Sequence, residues 1–123
     1  MENKKIDKLK KLGLLISRAR KDKNLSLREF AKMVGLSHVA ISHIEKGKVE
    51  AKKDTLLNIA RVLEYDVDTM LAKASRLDDE IEDLIFEKSN QVPLFLRTAK
   101  NLSEDQWKQI TEQVKKMNKS NDE

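Results

Sequence analysis

The chain has 123 residues, with 25 Lys and Arg against 21 Asp and Glu, one Pro, three Gly and no Cys, enough for one small domain or a domain plus an appendage. Scarce Gly and Pro argue against turn-rich sandwiches and barrels, and Gly13, Gly35 and Gly47 lie too far apart to form one phosphate-cradling loop; the lack of Cys excludes disulfides, thiol catalysis and cysteine-ligated zinc. The net charge of +4 is the remainder of two opposed parts, +7 over residues 1–75 and −3 over residues 76–123, a pattern that fits either a polyanion-binding head with a tail of another purpose or a lysine-rich solvated surface.

The expected fold is all-α. Residues 6–21 place Ile6, Leu9, Leu12, Ile16 and Ala19 at spacings of three and four, one stripe of an amphipathic helix. Asn24 and Leu25 interrupt it, and Ser26 opens S-L-R-E, a capping box in which Glu29 reaches back. A short helix with Leu27, Phe30, Ala31 and Val34 facing inward follows, and Gly35 suits its left-handed stop. Ser37 caps the next helix, which runs from His38 to about Glu45 and ends before Gly47; Leu36 and Ile41 are placed to form a hydrophobic staple across its start. A basic loop from Lys46 to Lys53 leads into a helix over 53–63, and Asp66 caps a further short one, so five helices close by about residue 74. Gly13 has no such role, since only close packing would justify glycine inside the first helix.

The tail reads differently. Leu77, Ile81, Leu84 and Ile85 form an apolar stripe beside Asp78, Asp79, Glu80, Glu82 and Asp83. Pro93 suits the first turn of a short segment, P-L-F-L-R-T-A. Ser103 and Gln106 form a second capping box before a helix striped by Trp107, Ile110, Val114 and Met117, and the last six residues are expected to fray. The expected domains are therefore 1–75 and 76–123. Leu84, Phe86, Phe95, Trp107, Ile110 and Val114 form either an intramolecular mini-core or, in the reading favoured here, an oligomerisation module.

Two short helices joined by a glycine-containing turn have the helix-turn-helix pattern. The helix from Ser26 to Val34 would brace, and the helix from Ser37 to Glu45 would lie in the major groove. His38 can donate a ring N–H to guanine N7 or O6, and Val39 can meet a thymine methyl. His43 either reaches the groove floor or packs half-buried against the first helix. His38 and His43 are five apart, roughly 140° around a helix, so they do not form a metal pair. No metal site or cofactor is expected, and no nucleophile–base pair can be named, so an enzyme is not expected. The charged start lacks an apolar leader core, and no stretch approaches ~20 apolar residues; the expectation is a soluble cytoplasmic protein with no membrane association.

Residues 12–71 resemble the XRE-type, phage-repressor-like helix-turn-helix regulators. The resemblance is carried by L-S-L-R-E-F-A-K-M-V-G-L-S, V-A-I-S-H-I-E-K-G-K, T-L-L-N-I-A-R-V-L and D-V-D-T-M-L. It implies a five-helix DNA-binding domain in which His38, Val39, Ser42 and His43 read bases, with Ser37 and Ala40 on the same approach face. It also implies that Lys46 and Lys48 meet phosphates and that Arg20 pairs with Glu45 to hold the first helix to the recognition helix. The family often has Gln where this chain has Leu27, which cannot make that phosphate contact; Arg28 is the substitute source of charge. The stretch V-P-L-F-L-R-T-A-K-N-L-S-E-D-Q-W is similar to the tails of mobile-element repressors, some of which are inactivated by a partner metalloprotease of the ImmA/IrrE type.

The leading expectation is a homodimeric or tetrameric repressor that binds double-stranded DNA at a near-palindromic operator. The alternatives are an antitoxin or immunity repressor whose tail binds a toxin, protein antagonist or protease, and a protein–protein adaptor without DNA specificity.

Overall fold

A computed structural model describes residues 2–122, and among them every regular element is helical. The chain divides into two compact units, Met1–Ile81 and Glu82–Glu123.

In the first unit, α1 (Glu2–Asp22) starts four residues before its apolar stripe, because the lysine-rich leading turns are good helix formers that need no burial. It ends at Asn24, whose φ of 58° turns the chain. The element α2 (Leu27–Val34) carries the full capping box: Glu29 N–H donates to Ser26 Oγ at 3.0 Å, and Ser26 N–H donates to Glu29 Oε1 at 3.1 Å. Gly35 closes it at φ 87°, its N–H donating back to the Ala31 and Lys32 carbonyls. Next come α3 (His38–Glu45), α4 (Lys53–Leu63) and α5 (Val67–Lys73), the last capped by Asp66, which accepts from Thr69 N–H at 2.9 Å. One core joins all five, centred on Ile16, Phe30, Ile41, Leu56, Ile59 and Met70, each with no exposed surface. Each such side chain contributes about 2 kcal/mol of apolar burial, which is what holds helices as short as seven or eight residues in place.

The segment after α5 forms α6 (Asp79–Glu87), whose first turn is capped by Asp78, accepting from Ile81 N–H at 2.8 Å. The second unit continues through α7 (Gln91–Ala99) and α8 (Glu104–Asp122). Pro93 lies in the first turn of α7, and Ser103 and Gln106 close their reciprocal capping box at 3.2 and 2.9 Å. Residues expected to fray instead continue α8 to Asp122; Glu123 lies outside the described residues. Burial in this unit is sparse. Ala99 is buried, Phe95 meets Trp107 edge-on at a centroid distance of 6.2 Å, and neither α6 nor α8 buries a residue.

Candidate nucleic-acid interface

The helix α3 is two-faced. Ile41 and Ile44 are buried, while His38, Val39 and His43 are exposed and Ser42 is half-buried. At 100° per residue, His38, Val39, Ser42 and His43 occupy an arc of roughly 140° centred opposite the two isoleucines. The exposed arc therefore follows from the burial of the inner one. Ser37 Oγ accepts from Ala40 N–H at 3.1 Å, which fixes the first turn and leaves the hydroxyl its own O–H as a donor. His43 stands exposed, not half-buried against α1. Arg28, at the start of α2, and Lys46 and Lys48, just after α3, are also exposed.

The angle of α3 is set from behind. Arg20 donates from Nε to Glu45 Oε2 at 2.7 Å and from a terminal nitrogen to Glu45 Oε1 at 3.0 Å, while its other terminal nitrogen donates to the Leu25 carbonyl at 2.9 Å. The two side chains are 11% and 8% exposed. The hydrogen bond to Glu45 raises the pKa of the Arg20 guanidinium above its ordinary value despite partial burial. A carboxylate at a helix C-terminus opposes the helix dipole, so Glu45 depends on this partner. One bidentate pair therefore ties α1, the α1–α2 turn and α3 together.

Two glycines permit the same approach. A Cβ on Gly13 would fall 2.3 Å from the Glu45 carbonyl oxygen and 2.6 Å from that of Ile44. Gly47, at φ 71°, would drive a Cβ to 2.7 Å from the Lys10 backbone. Thus α1 meets the end of α3 backbone to backbone, the close packing that the sequence left open for Gly13.

Other features carried no sequence signal. Val49 is 43% exposed on the loop after α3 and lines a shallow depression of about 400 Å³ with Leu36, Ala40, His43 and Thr55. Glu50 on the same loop is held by Lys5 at 2.9 Å and Arg76 at 3.1 Å, and the Lys5 hydrogen bond lowers its pKa. Residues 26, 45 and 71 apart in sequence announce no such convergence. Leu27, at the position where Gln was wanting, packs its half-buried side chain against the core. Among the described residues, no three His, Asp or Glu side chains come together to hold a metal, and no helix is long and apolar enough to cross a membrane.

The tail residues Leu84, Phe86, Phe95 and Val114 are exposed, and Trp107 and Ile110 are half-buried.

Comparison with known proteins places this geometry in context. The helix-turn-helix family profile HTH_3 matches residues 16–70. The ImmF control region 10 kDa protein of Bacillus phage phi105 is 39% identical over 61 residues, 50% of this chain and 68% of that protein. A crystal structure of the clp gene regulator ClgR from C. glutamicum is 28% identical, covers 55% of this chain and 87% of its own, and superposes with a TM-score of 0.50. A further ClgR structure covers 74% of this chain and 93% of its own at TM-score 0.50; its identity of 22% speaks to the fold alone.

Proposed function

The chain belongs to the HTH_3 helix-turn-helix family and is a DNA-binding transcriptional regulator of the XRE, phage-repressor type, and from that premise we propose that it is a homodimeric repressor of a near-palindromic operator. One observation carries the reading: α3 exposes His38, Val39, Ser42 and His43 on one arc while Arg20 and Glu45 fix its angle from behind. In this reading those four side chains read base edges in the major groove, with Ser37 and Ala40 beside them. Arg28, Lys46 and Lys48 bind phosphates and set the register. The role is regulatory, exercised in the cytoplasm, and blocks polymerase access.

Homodimerisation follows from reach. One recognition helix covers only a few base pairs, and a two-fold dimer doubles the contacts and fixes half-site spacing. The exposed apolar side chains of the second unit, Leu84, Phe86, Phe95 and Val114 with half-buried Trp107 and Ile110, supply the surface for a second copy. The same surface suits a protein antagonist or protease.

Selection of bound duplexes from a random pool at fixed salt tests the proposal. The expected result is one motif with two-fold symmetry and half-sites about 10 base pairs apart. Equal affinity for selected and random duplex would overturn it.

A further inference from the structure

Along the edge of the packed stripe of α1, at Leu9 and Leu12, the first unit leaves a trough against the C-terminal end of α5. It has two adjoining sections of about 590 and 280 Å³ that share Lys8, Lys73 and Ser75. Leu9, Leu15 and Ala74 give it an apolar floor, and Lys4, Lys5, Lys8, Lys11 and Lys73 supply a basic rim whose one carboxylate, Glu50, is held by Lys5 and Arg76. The trough follows α1 from Lys4 to Leu15, roughly 17 Å at 1.5 Å per residue.

The chain itself contains a segment of the opposite character. The helix α6 has nine residues, about 13 Å, reading D-E-I-E-D-L-I-F-E with no basic side chain. Ile81, Leu84 and Ile85 form one face, and Leu84 is 51% exposed. Its length, apolar spacing and charge all complement the trough. Its own start is occupied elsewhere, Asp79 lying 3.7 Å from Lys53 on α4.

We propose that the trough receives α6 of a second copy, Ile81, Leu84 and Ile85 on the apolar floor and the acidic side chains against the lysine rim. The exchange is reciprocal, each copy supplying one helix and one trough, which makes the contact two-fold and self-limiting. It rests on the homodimer reading above and assigns that dimer one of its surfaces.

Sedimentation equilibrium of the full chain without DNA tests it, on wild type, Lys8→Glu/Lys73→Glu, Glu80→Lys/Asp83→Lys, and the four-fold combination. All four positions are exposed, so the fold is preserved, which circular dichroism verifies. The expected result is a dimer weakened about tenfold or more by either reversal and restored by the combination, since like charges in register repel. A dimer indifferent to both reversals overturns the trough and leaves the homodimer reading standing on α7 and α8. A monomeric wild type overturns both. Reversals that lower the melting temperature without changing association overturn it in favour of α6 seating on its own chain.

Discussion

At position 13 a single methyl group decides whether α1 can reach α3. Gly13→Ala sets a Cβ against the Glu45 carbonyl, and backbone cannot swing aside as a side-chain tip can. The substitution is expected to destabilise by about 3 kcal/mol, read as a fall in melting temperature, although Ala is the better helix former. The Arg20–Glu45 pair behaves differently. Arg20→Ala strips the partner from a carboxylate that is only 8% exposed and sits at the unfavourable end of a helix. A loss of about 2 kcal/mol in urea unfolding is expected, less than for a fully enclosed ion pair because water reaches its edge. Unchanged melting and unchanged DNA affinity would show that the clamp has no such role.

Among the elements, α2 and α5 are short and owe their starts to side-chain caps. The Ser26 hydroxyl and backbone N–H hold the Glu29 carboxyl below its ordinary pKa, and the Thr69 hydroxyl and N–H do the same for Asp66. A carboxyl with a folded pKa below its unfolded one stabilises the fold fully above the unfolded value and loses that contribution as pH falls through the folded one. The melting temperature is therefore expected to stay level from neutrality down to about pH 5 and to decline below about pH 4. Ser26→Ala and Thr69→Val should each make that acid limb shallower while lowering the plateau. For α3, Ser37→Ala is expected to cost about 1 kcal/mol of stability by freeing the Ala40 N–H.

For the whole molecule, charge distribution makes the binding prediction quantitative. If Arg28, Lys46 and Lys48 of two subunits each neutralise one phosphate, log affinity should fall with log salt at a slope of about −5. Lys48→Ala should flatten that slope by about two in a dimer and about one in a monomer, and weaken all sequences alike. His43→Ala should leave the slope nearly unchanged and relax preference at one base position in each half-site. Fluorescence anisotropy across a salt series separates these outcomes.

Much of the head was legible in the amino-acid order because its signals are local. The capping box at Ser26, the cap at Ser37, the stop at Gly35 and the staple of Leu36 with Ile41 each lie within one or two helical turns, where sequence distance and spatial distance agree. The same short-range rule located Pro93 and the Ser103–Gln106 box. What lay beyond it were contacts between distant segments: the reason for Gly13, the Lys5–Glu50–Arg76 junction and the trough beside α1. The sequence alone therefore determined the helices and the opposed charges of head and tail, and left open whether His43 stands exposed. Only the tertiary structure decided how closely α1 approaches α3 and that Lys5 and Arg76 meet at Glu50, because steric fit and contacts between distant segments depend on crossing geometry that no local pattern encodes.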